Sequence, residues 1–380
     1  MRRGGRNYYA LDVTDRSAPS MLWTIEGGTG DFANLGYTWS KPVKTKVRIG
    51  STVKDVLLFA GGFDTNIDNF PLTRVNAAMG NAIYMVDATT GQRLWMASTT
   101  VGVGQGLTMS DMLYAIPSDL GVIDVNQDGL ADQFYVGDTG GQVWRFDIHH
   151  GETTSNLVTG GVIADLGGAS GADFRRFYFR PDISLFVNNG DPILAVSIGS
   201  GAINEPLEQT SQNRFYVIFQ DSPFGAPSTY TRLTHLNLTD RTSDITDTNI
   251  ANNGWYIDLA TSGEKVLASS VTLNNMVVFT TYAPSSSVSA CTGVTGLGQV
   301  YLVSLFNGNP VQDLNADGTI DELDRSRTLS SPSIPPTPNV LFPAEADQPT
   351  ILVGPEQPLD DVDLSVNNEW ERVYWYEPDD

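Results

Sequence analysis

Short runs of β-branched and aromatic residues, separated by Gly, Asn, Asp and Pro, recur along the chain with no sustained helical period. Such runs are strand signals, and they repeat in one order. A segment built on Pro or Ser and an aliphatic residue comes first: Trp39-Ser40-Lys41-Pro42-Val43, Ile116-Pro117-Ser118-Asp119-Leu120, Arg180-Pro181-Asp182-Ile183 and Leu267-Ala268-Ser269-Ser270-Val271. After a turn comes an aliphatic run that mostly ends in small residues: Val56 to Gly62, Phe134 to Gly137, Ile193 to Val196 with Gly199 beyond, and Met276 to Phe279. An aromatic-led strand is third: Ile83 to Asp87, Val143 to Asp147, Phe215 to Phe219 and Val300 to Ser304. Three of these close on glycine turns at Gly91, Gly151 and Gly308, and the fourth part is clearest at Arg93-Leu94-Trp95.

A four-stranded antiparallel unit cannot cover both of its faces, so the units must pack on one another. Radial stacking of such sheets is an all-β propeller, which leaves only short, protected edges. A sandwich is the alternative, but it does not predict the same four-part order again and again. About five to six blades are legible. Residues Gly4-Gly5, Tyr9 to Asp12 and Leu22-Trp23 match the second half of a unit, so the chain reads as starting inside a blade, as a fragment or at an internal methionine of a longer exported protein. Pro338 to Leu341, Thr350 to Gly354 and Arg372 to Trp375 repeat the first three parts. The expected division is a propeller over 1–330 and a Pro- and acid-rich segment over 331–380 that completes a last blade, with Ser331 to Pro338 as the linker.

Charge narrows the function. The 380 residues carry 22 Lys+Arg against 44 Asp+Glu, a net charge of −22. That excess disfavours nucleic acid and anionic membrane surfaces, both of which need clustered cations. No stretch approaches the roughly 20 apolar residues of a transmembrane helix, and the basic start Met1 to Arg6 has no apolar signal core behind it. Cys291 is the single cysteine, which excludes an internal disulfide and a multi-cysteine zinc site.

Two acidic loops carry the chemistry. In Asp124-Val125-Asn126-Gln127-Asp128-Gly129-Leu130-Ala131-Asp132, oxygen-bearing residues alternate around a glycine at the sixth position. Ca²⁺ takes six to eight hard oxygens at about 2.3–2.6 Å, and glycine permits the sharp turn. The expected ligands are the side chains of Asp124, Asn126, Asp128 and Asp132 and the carbonyl of Leu130. The loop stands where other units carry a plain turn, Val187 to Asp191 or Leu273-Asn274-Asn275. The second, Asp313 to Asp324, is a twelve-residue loop of the helix-loop-helix and dockerin type, with Gly318 at six and Ile320 at eight. Its expected ligands are Asp313, Asn315, Asp317, Thr319, Asp321 and Asp324, the last replacing the usual bidentate Glu. Clustered carboxylates repel without a cation, so each loop is expected to need its ion for order. The competing readings are a solvated Asp/Asn turn and an acidic linker.

Other features carry less. Asp138-Thr139-Gly140 has the look of an aspartic-protease turn, but that chemistry needs a second carboxylate and none of that context exists, so it reads as a blade turn. His149 and His150 read as solvated, Trp23, Trp95 and Trp144 as blade packing, and Arg175-Arg176 as too small a cluster for nucleic acid.

The segment Tyr84 to Gly91 with Leu94-Trp95 resembles quinoprotein-type propeller repeats. More specifically, Arg3 to Asp12, together with Asp124 to Asp132 running on into Gln133 to Asp147, resembles the C-terminal propeller of the PilY/PilC family, the tip-associated adhesins and assembly factors of type IV pili. The resemblance implies a seven-bladed propeller in which a calcium loop at this position controls pilus extension against retraction. It implies no enzymatic activity, Ca²⁺ as the bound ion, and pilin, minor pilins or other assembly proteins as partners. It also implies a place in the fimbrium at the cell surface, surface adhesion to host or abiotic material, and twitching motility. The family's N-terminal region is not in this sequence, and no Arg-Gly-Asp tripeptide occurs. A quinone-dependent dehydrogenase is the enzymatic alternative, but its vicinal disulfide is ruled out by the lone Cys291. A generic outer-membrane scaffold is the other, and it would lack acidic ion cages.

Overall fold

The structure, a computed structural model, describes residues 4–68, 73–285, 296–343 and 348–364. Cys291 and the strand expected at Arg372 to Trp375 lie outside them. The chain divides into two compact units, Met1–Arg180 with Phe224–Arg232, and Pro181–Pro223 with Leu233–Asp380. No α-helix occurs among the described residues; a few 3₁₀ turns connect strands. Among the described residues no helix is long and apolar enough to cross a membrane.

In the first unit β1 (Tyr8–Asp12) pairs with β2 (Ser20–Ile25). Strands β3 (Val43–Ile49), β4 (Thr52–Ala60), β5 (Ala82–Asp87), β6 (Arg93–Ser98) and β7 (Gly106–Thr108) form one sheet in sequence order. A second sheet follows with β8 (Gly121–Ile123), β9 (Gln133–Gly137), β10 (Gln142–Ile148) and β11 (Val158–Asp165). Each Pro- or Ser-bearing segment stands at or just before the first strand, and each aliphatic run and aromatic-led strand is the next pair. That order is the four-part repeat read from the sequence.

The period-2 alternation of the strands decides what they bury. Val56, Leu58, Ile83, Met85 and Trp95 pack against Phe134, Val136, Trp144 and Phe146 of the next sheet. Their neighbours Phe59, Tyr84 and Val86 point the other way, into a cluster with Ile25 and Tyr8. A strand buried on both faces must read as a continuous apolar run, as Val56 to Ala60 does. The glycines that end such a run serve close approach: at Gly62 (φ +90°) a Cβ would stand 2.1 Å from the Tyr37 carbonyl oxygen.

The second unit holds β12 (Asp182–Asn188), β13 (Asp191–Gly199), β14 (Arg214–Gln220), β15 (Thr239–Asp240) and β16 (Gly254–Asp258) in one sheet. The next is β17 (Lys265–Val266), β18 (Val271–Leu273), β19 (Met276–Pro284), β20 (Gly296–Ser304) and β21 (Ser326–Thr328), followed by the pair β22 (Asn339–Leu341) and β23 (Thr350–Leu352). Phe279 lies between Phe215 and Tyr301 at centroid distances of 3.8 and 4.6 Å. The β12–β13 and β18–β19 turns use left-handed Asn189-Gly190 and Asn274-Asn275 (φ +52°, +93°, +50° and +60°), the geometry that matches strand twist in tight hairpins.

Several loops of this unit are organised by a cation of the chain itself. Lys265, fully buried, donates from Nζ to the carbonyls of Glu208 and Gly263 at 2.6 Å and of Pro206 at 3.2 Å. Arg241, 1% exposed, holds Asp247 at 2.8 Å and Asp244 at 3.5 Å in the acidic loop that follows β15. Arg241→Ala removes the buried guanidinium that holds Asp247 and the Asn249 carbonyl, and it is expected to lower the urea midpoint and to speed amide exchange at Asn249.

Candidate metal centre

Asp124 to Asp132 joins β8 to β9, where the other units make their two-residue turn. The backbone folds inward onto the carboxylates. Asp124 Oδ1 accepts the N–H of Gln127 at 2.7 Å and of Asp128 at 3.2 Å, and its Oδ2 accepts Gly129 N–H at 2.7 Å. Asn126 Oδ1 accepts Asp128 N–H, and Asp128 Oδ1 accepts Leu130 N–H, at 2.8 and 2.9 Å. Asp132 closes the loop, its Oδ2 taking the N–H of Val125 at 2.7 Å and Asn126 at 3.2 Å. Gln127 and Gly129 supply left-handed turns at φ +65° and +83°.

Asp313 to Asp324 repeats this pattern bond for bond. Asp313 takes Ala316, Asp317 and Gly318 at 2.7, 3.3 and 2.8 Å. Asn315 takes Asp317, and Asp317 takes Thr319, both at 2.9 Å. Ala316 and Gly318 are left-handed at φ +60° and +90°. The closing acid is Asp324, fully buried, whose Oδ1 accepts Leu314 and Asn315 N–H at 2.9 and 3.1 Å. Position nine of the first loop and position twelve of the second therefore hold the same post. Asp321 is occupied instead in capping the 3₁₀ turn Glu322–Arg325, accepting Leu323 N–H at 2.8 Å. Thr319 spends its hydroxyl on Asp317 at 2.7 Å, so its carbonyl is the atom left to a metal, as at Leu130.

The electrostatics of the two loops differ. Burial pushes the Asp132 carboxyl up from its ordinary value, the N–H bonds of Asn126 and Val125 oppose this, and the charges of Asp124 and Asp128 raise it further. The Thr319 hydroxyl and N–H pull Asp317 down. No Lys or Arg of the described residues lies within 4 Å of a carboxylate in either loop, in contrast to the Arg241 loop. Among the described residues no group of three or more His, Cys, Asp and Glu side chains is gathered tightly enough to chelate an ion as it stands. Each loop thus offers an all-oxygen donor set, pre-folded on its own N–H groups, that would have to contract to enclose a cation. That set fits a hard ion such as Ca²⁺.

Other expectations change in three dimensions. His150 is not solvated: its side chain is 16% exposed, and Nδ1 accepts Arg48 N–H at 3.3 Å. His149 Nε2 meets the Thr159 hydroxyl at 2.8 Å. Both histidines lie in the turn that brings β10 back along β11, which packs against β3 by hydrogen bonds invisible in sequence. Arg175 and Arg176 are buried, so they present no cationic surface. Trp95 and Trp144 are core residues as expected. Asp138 is more than a turn residue. It is fully buried, accepting Gly140 and Gln142 N–H and the Trp144 indole N–H, all at 2.9 Å.

Antiparallel sheets of four to five strands, repeated along the chain in one order, define a class, the all-β propeller. Residues 1–251 match the family described as the PilY1 beta-propeller domain, and the chain belongs to that family. It is 24% identical over 350 residues to a type IV pilus biogenesis factor PilY1 homolog of Xylella fastidiosa, covering 80% of this chain and 21% of that protein. It is 22% identical over 344 residues to type IV pilus biogenesis factor PilY1 of Pseudomonas aeruginosa, covering 76% and 27%. The chain therefore spans about a quarter of the length of these relatives. The crystal structure of the Pseudomonas aeruginosa PilY1 C-terminal domain superposes with a TM-score of 0.63 at 19% identity, over 92% of this chain and 77% of that one, which shows the shared fold.

Proposed function

We propose that this chain is a calcium-binding propeller module of a type IV pilus biogenesis protein, acting by binding and not by catalysis. The observation that carries the reading is the pair of loops with one hydrogen-bond pattern and, among the described residues, no Lys or Arg paired with their carboxylates. Asp124, Asn126, Asp128, Asp132 and the Leu130 carbonyl hold one Ca²⁺. Asp313, Asn315, Asp317, Asp324 and the Thr319 carbonyl hold another, with Asp321 at its rim. The ion supplies the positive charge that lets the carboxylates converge. The ordered loop then stiffens a blade end that contacts pilin, minor pilins or other assembly proteins, and so biases extension against retraction, twitching and attachment to host or abiotic surfaces. The fimbrium and cell surface are where such a module works.

The two relatives are both named as type IV pilus biogenesis factors, which supports the pilus assignment. The decisive experiment is a chromosomal Asp132→Ala strain, scored for surface pili and twitching. Reduced or calcium-insensitive piliation is expected. Unaltered pili and motility would remove the regulatory role.

A further inference from the structure

His150 presents a buried polar atom that nothing in the fold uses. Its Nδ1 accepts a backbone N–H from Arg48, so the ring proton stands on Nε2. That Nε2 is sealed from solvent and has no hydrogen-bond partner. An N–H cut off from water and left unpaired is costly, and native folds seldom tolerate one without a reason. Nε2 lies 3.9 Å from Asp132 Oδ1, too long for a hydrogen bond but within a sub-ångström contraction of one.

The surroundings give this contact leverage. Asp132 is pinned by its backbone, donating to Ile123 O at 2.9 Å and accepting Ile148 N–H at 2.8 Å. The neighbouring Ala131 donates to Lys46 O at 3.0 Å, and Gly151 donates to Arg48 O at 3.0 Å. Strand β3 is thus stitched both to the acidic loop and to the turn that carries His150, and the histidine is the side chain spanning the two.

We infer that His150 is a positioning residue for the first calcium loop: its Nε2–H holds Asp132 Oδ1 in the ligating orientation and ties ion binding to the seam with β3. This rests on the calcium reading above. A ligating carboxylate gains basicity and a fixed rotamer from an outer donor, and loss of such a partner commonly weakens metal binding about 10–100-fold. When the loop contracts around its ion, Asp132 moves as the closing ligand, and the idle N–H acquires its acceptor.

The test uses calcium titration calorimetry with CaCl₂ on the full chain and an isosteric pair. Gln places an amide N–H near the Nε2 position, whereas Asn reaches only as far as Nδ1. His150→Asn is expected to weaken the first site by about tenfold or more, leaving the second untouched, and His150→Gln to restore most of it. Calcium should also slow amide exchange at Arg48 and Ala131 in the wild type and His150→Gln but not in His150→Asn. Equal affinities for Asn, Gln and wild type overturn the inference while Asp124→Ala still deletes a site. If Asp124→Ala deletes nothing, the calcium reading falls and takes the inference with it.

Discussion

Alanine at Asp124 is expected to remove one of two equivalents of bound Ca²⁺, and alanine at Asp313 the other. Each of these carboxylates gathers three backbone N–H groups at the head of its loop, so removal deletes a ligand and also unties the turn that presents the rest. The energetic consequence follows from linkage. An ion that binds only the folded state stabilises it by about 2.7 kcal/mol at a hundredfold excess over Kd. Chelation of the wild type should therefore lower thermal stability by several degrees. Each single variant should lose roughly half of that response, and the double variant should be indifferent to chelator. A stoichiometry that stays at two in either variant would mean that the corresponding loop never held metal.

Asp138→Ala should be the most damaging substitution of a single polar group. The carboxylate is fully buried between β9 and β10 and accepts two backbone N–H groups and the Trp144 indole. With its amide nitrogen turned inward, Gln142 adds a fourth donor at 2.9 Å. Alanine orphans all of them, for a cost of roughly 3–5 kcal/mol by urea denaturation. The pH dependence has a definite sign. Burial raises the carboxyl to about 7 from 3.8, against the pull of Trp144, Gln142 and Gly140. Between those values the folded state holds more protons than the unfolded chain, so this stabilisation is complete below about 4 and is lost as pH climbs through 7. The stability lead of the wild type over Asp138→Asn should shrink from pH 4 to 7; a lead that grew would show that the donors outweigh burial.

The legibility of this fold rests on how sheets bury residues. Val56 to Ala60 is apolar on both faces because its sheet is packed on both, and Phe215 to Phe219 is buried along its whole length; a run of that kind survives in sequence as a visible repeat. The acidic loops were legible for a similar local reason. Their oxygens and glycines lie within twelve residues, and the turn that organises them depends on backbone N–H groups a few positions away. What escaped was long-range. Nothing near Lys265 announces that its ammonium meets carbonyls some sixty residues earlier, and nothing near His150 announces Arg48, 102 residues away. Asp138 reads as an ordinary turn residue because burial is not written in its neighbours.

The sequence alone determined the repeating all-β architecture and the two oxygen-rich loops, since both follow from residues close together in the chain. Only the tertiary structure decided which acid closes each loop. Asp132 and Asp324 fill one role at different spacings, because a 3₁₀ turn in the second loop takes up three extra residues and spends Asp321 on its cap. It alone also placed His150 against Asp132. Such pairings depend on where distant strands come to rest, a matter of packing that no local pattern encodes.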